Sequence, residues 1–303
     1  MGVIVTERIS IVEVGPRDGL QNEATVLPSA IKISLIEQLA DAGLPVVEAG
    51  SFVSPKWVPQ MASSSEVLRD MRRKPGVRYP VLVPNMRGYE DARAVGVDEI
   101  AVFAAASEAF SRKNINCSIA ESLDRFHPVC DKAREDGVRV RGYISCVLGC
   151  PYEGDVPVKR VVEVADELVE MGCAEISLGD TIGVGTPRRA ASMLREVARS
   201  VPMNRLAVHF HDTYGQALSN ILACVDAGVE IIDSSVAGLG GCPYARGASG
   251  NVGTEDVVYM LHGMGISTGI DLQKLVAAGA FVTGQIGRPP ASKAAQALAA
   301  EER

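Results

Sequence analysis

The stretch LAVHFHDTYGQALSNILACVDAGVEIIDSSV, residues 206–236, holds one complete strand–helix–strand unit and decides the reading of the fold. Its first six residues, LAVHFH (206–211), are strand-length and carry side chains that alternate between two faces. GQALSNILACVDAG (215–228) then places apolar residues three and four apart and ends at a glycine, the pattern of an amphipathic helix. A second apolar, β-branched run follows at 230–236. A strand, a helix and a strand in direct succession predict parallel pairing through a right-handed crossover.

Working outward, the same unit recurs along the chain. Strand-like runs stand at 9–14, 45–49, 79–83, 99–103, 138–145, 174–178, 206–211 and 230–236, each followed by a segment of helical spacing. SAIKISLIEQLADAG (29–43) and VKRVVEVADELVEMG (158–172) close on the same kind of small-residue, glycine-terminated end as CVDAG. Eight such units are the number that closes a (β/α)8 TIM barrel, which needs about 250 residues. An open doubly wound sheet is the alternative. The barrel is expected over about 9–263 in a single domain spanning 1–303. A C-terminal extension over about 270–303 should add one helix, a stop at Pro289-Pro290 and a mobile Ala-rich end.

Composition narrows the function. Of 303 residues, 47% are apolar and 22% charged, as in a globular chain with a large core. A net charge of -7, with no basic run longer than Arg72-Arg73-Lys74, argues against nucleic acid as a partner. No apolar run is long enough for a membrane span or a signal peptide, so a cytoplasmic protein is expected. Gly2 and Thr6 satisfy the M-G-x-x-x-[ST] acylation pattern, which is short enough to arise by chance. Seven scattered cysteines fit free thiols in a reducing compartment, and the Cys146/Cys150 spacing has no partner pair that would make a zinc site.

In a barrel of this kind, chemistry sits where strands finish. Strand 1 finishes in VGPRDG (14–19), strand 2 in Glu48, strand 6 in Gly179-Asp180-Thr181 and strand 7 in His209-Phe210-His211-Asp212. His209 and His211 are one residue apart on a strand, so both face the same way and can reach one ion, while Val208 and Phe210 face the helices. A lone histidine is more often structural; a pair at period two is not. With Asp18 as the third ligand and room for oxygen donors, the set suits Mg²⁺ or Mn²⁺, with zinc as second choice. Pro16 and Gly19 let the rim curl so that Arg17 and Asp18 both turn inward, which would offer Arg17 to a developing oxyanion. A surface ion pair is the plainer reading of that dipeptide taken alone.

The segment 238–253 carries six glycines and reads as a lid that orders over substrate. Its spacing has no nucleotide-loop pattern. Cys242 lies in it, where a thiol could give or take a proton if a neighbouring cation lowered its pKa.

These segments resemble the hydroxymethylglutaryl-CoA lyase family. The resemblance rests on VGPRDGLQNE (14–23), SFVSPKWVPQM (51–61), LVPN (82–85), KNINCSI (113–119), SLGDTIGVGTP (177–187), HFHDTYGQA (209–217) and GLGGCPYARGASGN (238–251), in colinear order. It implies a metal held by Asp18, His209, His211 and Asn251, and catalytic positions at Arg17, Asp180, Cys242 and Glu255. It also implies substrate contacts at Arg17, Glu48, Ser51 and Asn114. Two departures, Glu48-Ala49-Gly50 where Glu-x-Thr is common and Gly253 where Ala is common, leave those positions in place.

The reaction so implied is a metal-dependent retro-Claisen cleavage of (S)-3-hydroxy-3-methylglutaryl-CoA to acetyl-CoA and acetoacetate, as in leucine degradation and ketone-body formation. Asp180 and Glu255 are alternative acceptors for the hydroxyl proton. The expected assembly is a homodimer. Condensing relatives share the Arg-Asp and His-x-His elements, and the GGCPYA segment separates the cleaving branch from them. A silent barrel that only senses metal or CoA would be expected to have lost part of this set.

Overall fold

The computed structural model describes residues 7–241 and 250–301. Its strands are all parallel and form one sheet: β1 (Ser10–Glu13), β2 (Val46–Val47), β3 (Gly50–Ser51), β4 (Val81–Leu82), β5 (Glu99–Ala105), β6 (Arg139–Ser145), β7 (Glu175–Asp180), β8 (Leu206–Phe210) and β9 (Ile231–Ser234). The sheet runs in the order β2-β1-β9-β8-β7-β6-β5-β4-β3. Its two ends, β2 and β3, are halves of one extended run. Within that run Glu48 N–H donates to Glu13 O at 2.8 Å on one side, and Ala49 N–H to Pro80 O at 3.0 Å on the other. The ladder is therefore closed, with the predicted second strand as its seam.

The helices wrap the outside: α1 (Ser29–Asp41), α2 (Ser64–Asp70), α3 (Met86–Ala94), α4 (Glu108–Ile115), α5 (Ile119–Glu135), α6 (Val158–Glu170), α7 (Pro187–Val197), α8 (Ala217–Val225), α9 (Thr254–Gly263), α10 (Leu272–Ile286) and α11 (Lys293–Glu301). Local chemistry sets their starts. Ser118 and Glu121 exchange side-chain and backbone hydrogen bonds as a capping box ahead of α5, and Pro187 opens α7 with its φ already helical. None of the described helices is long and apolar enough to cross a membrane.

Strand periodicity divides the core in two. Outward residues such as Ile11, Leu178, Val208, Phe210 and Ile232 pack against the helices. Inward, Val12, Val14 and Val46 form a separate apolar plug with Ile231 against them, each such side chain contributing about 2 kcal/mol of burial. Level with Val12, Asp233 brings charge onto the same axis, paired with Arg141 and through it with Glu175.

The C-terminal end departs from expectation. α10 closes on Gly287 in the left-handed region (φ 82°), but the Ala-rich stretch beyond the prolines is a further helix, α11, and not a loose tail. Alanine favours helix, and the segment is tied down. Ala291 N–H donates to Ala237 O at 2.8 Å, Ala294 N–H to Asp256 Oδ1 at 2.8 Å, and Ala295 is buried.

Candidate active site

The end of β1 does not stop at a regular turn. Gly19 N–H reaches back five residues to Val14 O at 3.1 Å, so GPRDG (15–19) forms one wide helical turn, a feature that gathers at functional sites. Both glycines are required by close approach. A Cβ on Gly15 would lie 2.6 Å from Glu13 Oε1 and 2.9 Å from Val236, and one on Gly19 would lie 2.6 Å from Ser235 Oγ. The widened turn carries Arg17 and Asp18 inward together.

Arg17 is buried; its Nε donates to Glu48 Oε2 and its Nη1 to Asp18 Oδ1, both at 2.8 Å, and its guanidinium stands 5.3 Å over the Tyr143 ring. Burial pulls the guanidinium pKa down, but Glu48 and Asp18 beside it push it above its ordinary value. Burial likewise raises Asp18, and Arg17, then His209 and His211, outweigh this and hold it at about 2. Glu48 is raised by burial against the pull of Arg17.

Both histidines face the axis as the alternation predicts, and their ring centroids are 5.4 Å apart. One ligand atom from each of Asp18, His209 and His211 can be chosen so that all lie within 4.8 Å of one another. Asn251 joins them through the backbone. It bridges antiparallel to His211 just past β8, with Asp212 N–H on Gly250 O at 2.8 Å. Its amide nitrogen donates to Asp18 Oδ2 at 2.8 Å and to Leu239 O at 3.3 Å. Bringing the amide oxygen onto an ion shared with Asp18 takes a half turn of the terminal amide.

The donor set fits a divalent cation. Asp18 is a carboxylate across the physiological range. His211 is held down at about 4 by burial, then by His209, so its imidazole is neutral, and its buried Nδ1 has no hydrogen-bond partner. His209, pulled down by burial, is raised overall by Asp233 beside it. One carboxylate, two imidazoles and an amide leave positions for substrate oxygens.

The other expected site residues stand further out. Asp180 ends β7 and accepts Val184 N–H at 3.2 Å and Gly185 N–H at 2.7 Å, so its carboxylate closes its own turn; burial raises its pKa. Glu255 lies behind the turn at 236–238, where both carboxylate oxygens accept Ala237 N–H at 2.9 Å; burial raises it to about 8. Ser51 is buried and lines a cavity of about 390 Å³ with Phe52, Asn85 and Arg87. Asn114 is exposed on α4. Cys242 and the rest of 242–249, half of the glycine-rich segment, lie outside the described residues.

Sequence reasoning passed over two buried polar groupings, one on the barrel axis and one behind the end of β1. Arg141, 1% exposed, pairs with Glu175 at 2.6 Å and with both oxygens of Asp233 at 3.0 and 2.6 Å. Glu13 accepts Gly15 N–H, Val236 N–H and the Thr254 hydroxyl, and burial raises it to about 7. The signal was present: RVRGYIS (139–145) alternates Arg and Tyr with apolar residues, and in a parallel strand covered on both faces an inward charge needs a partner.

Fold and site together define a (β/α)8 barrel with a metal-capable carboxylate–histidine cluster at the carboxyl ends of its strands. The HMGL-like family model matches residues 8–282. The chain is 60% identical to the mitochondrial hydroxymethylglutaryl-CoA lyase of Rattus norvegicus over 96% of this chain and 90% of that one. Relatives named for the cytoplasm match to a similar degree. The crystal structure of hydroxymethylglutaryl-CoA lyase from Pseudomonas aeruginosa superposes with a TM-score of 0.97 at 58% identity, covering 99% of this chain and 100% of that one. An HMG-CoA lyase from Acinetobacter baumannii, solved with coenzyme A and 3-methylmalate, superposes at 0.92 with 34% identity over 98% and 97%. The chain belongs to the HMGL-like family and is a carbon–carbon lyase of the hydroxymethylglutaryl-CoA lyase type.

Proposed function

We propose that the cluster at Asp18, His209, His211 and Asn251 is the metal centre at which (S)-3-hydroxy-3-methylglutaryl-CoA is cleaved to acetyl-CoA and acetoacetate. The observation that carries this is the convergence of Asp18, His209 and His211 within 4.8 Å, with the Arg17 guanidinium bonded to Asp18 beside them. When bound there, Mg²⁺ or Mn²⁺ supplies Lewis acidity that makes a substrate hydroxyl easier to deprotonate.

The chain's own residues do the rest. Loss of the 3-hydroxyl proton lets the C2–C3 bond break, its electron pair passing to the thioester carbonyl as an enolate while the former carbinol becomes the ketone of acetoacetate. Arg17 faces that enolate oxygen. Glu48 and Asp18 fix two of its nitrogens, and Nη2, with no hydrogen bond among the described residues, is left for the oxyanion. Asp180 and Glu255 are the alternative acceptors for that hydroxyl proton, and burial raises the basicity of both carboxylates, Glu255 to about 8. Cys242 is the donor to the enolate carbon that the family resemblance implies.

Acetoacetate release from (S)-3-hydroxy-3-methylglutaryl-CoA, measured before and after EDTA and after Mn²⁺ is returned, tests the proposal. Release that EDTA leaves intact would overturn it.

A further inference from the structure

The two histidines are not equivalent, and the difference lies on the neighbouring strand. Asp233 on β9 stands in register beside His209 on β8. Its Oδ2 lies 3.3 Å from His209 Nδ1 and accepts the Ser177 hydroxyl at 2.8 Å and Arg141 Nη1 at 3.0 Å; its Oδ1 accepts Arg141 Nη2 at 2.6 Å. Arg141 is itself immobilised, with Nε on Glu175 Oε1 at 2.6 Å and its guanidinium 4.8 Å from the Tyr143 ring. A carboxylate that takes three donors from Arg141 and Ser177 has no hydrogen to offer. The contact with His209 therefore places a hydrogen on Nδ1, so that the neutral ring has its lone pair on Nε2. His211 has no counterpart to this, its Nδ1 being buried without a hydrogen-bond partner.

We infer that Asp233, clamped by Arg141, is the positioning residue that fixes His209 as the Nδ1–H tautomer and so presents Nε2 to the ion, whereas His211 is left to be oriented by the ion itself. The inference rests on the metal-centre reading above. A carboxylate behind a ligating imidazole fixes ring orientation and raises ligand basicity, and its loss costs about 10–100-fold in metal affinity. The alternative is that the Arg141–Asp233 pair only braces the barrel. In that case removing Glu175, the other partner of Arg141, should matter as much as altering Asp233.

The tautomer is read directly from ¹⁵N-histidine spectra of the wild-type protein before metal is added, at a pH high enough for the ring to be neutral. The chain has four histidines, so H127Q and H262Q isolate the pair at 209 and 211. His209 should give the Nδ1–H pattern. Mn²⁺ titrations followed by electron paramagnetic resonance should then show D233N weakened by about 10–100-fold and E175Q by less than about threefold. A wild-type His209 carrying its hydrogen on Nε2 would overturn the inference without any variant. So would a folded D233N that binds Mn²⁺ like the wild type. Failure of the wild type to bind Mn²⁺ is a separate result, and strikes the metal-centre reading instead.

Discussion

Replacing Arg17 with Lys keeps one positive charge in the site and removes a geometry. The guanidinium spans two carboxylates at once, with Glu48 on Nε and Asp18 on Nη1, both at 2.8 Å. A single ammonium at the end of a flexible stem cannot reproduce that planar fork. One buried carboxylate then loses a charge-assisted hydrogen bond worth about 1.5–3 kcal/mol. The enolate loses an oriented donor, and removing one such donor lowers kcat by roughly 10²–10³-fold, equivalent to about 2.7–4 kcal/mol in the barrier. The ligand side chains are all retained and Lys keeps a positive charge beside Asp18, so Mn²⁺ affinity should stay within about threefold of the parent. The assay is acetoacetate release at saturating substrate, paired with Mn²⁺ titration of the same preparation. A kcat within about threefold of the parent would remove Arg17 from the mechanism.

Gly15→Ala should cost about 1–3 kcal/mol, because its Cβ would meet Glu13 Oε1 at 2.6 Å and Val236 at 2.9 Å in a turn with no slack. Urea denaturation checks it, and unchanged stability would contradict the close approach. Mn²⁺ at about 100 times its Kd should stabilise the wild type by about 2.7 kcal/mol and leave D18N, which lacks the ligand carboxylate, almost unmoved. Calorimetry that shows equal shifts in both would place the ion elsewhere. Glu255 is raised in the fold to about 8 from 4.5, so its contribution is fully present below about pH 4.5 and is lost as pH rises toward 8. Over that range the wild type should lose up to about 5 kcal/mol that E255Q keeps. Parallel pH dependences of urea unfolding for the two proteins would refute this.

How much could be read beforehand depends on whether a feature is local. The period-two spacing of His209 and His211 is local, and the strand puts both rings on the axis while Val208 and Phe210 pack outward. The eight strand runs were legible for the same reason, although the second is divided into β2 and β3 at the seam. Pro16 and Gly19 indicated a curl at the rim, but not its five-residue width, nor that Ser235, Val236 and Leu239 beyond the neighbouring β9 leave no room for a Cβ at Gly15 or Gly19. Asn251 reaches Asp18 only because residues 250–252 pair with the end of β8, a long-range contact no spacing rule reports. The Arg141–Glu175–Asp233 network draws on three strands, and none of the three is informative alone. The Ala-rich end was misread because its order comes from Ala237 and Asp256, far away in sequence.

The central claim is that one ion sits among Asp18, His209, His211 and Asn251. Anomalous diffraction from crystals of the protein grown with Mn²⁺ tests it most directly. A single peak is predicted there, with His209 Nε2, His211, Asp18 and the Asn251 amide oxygen around it at roughly 2.0–2.3 Å, oxygen–nitrogen distances of the kind such ions adopt. An ordered Mn²⁺ peak elsewhere, with this cluster empty, would contradict the account.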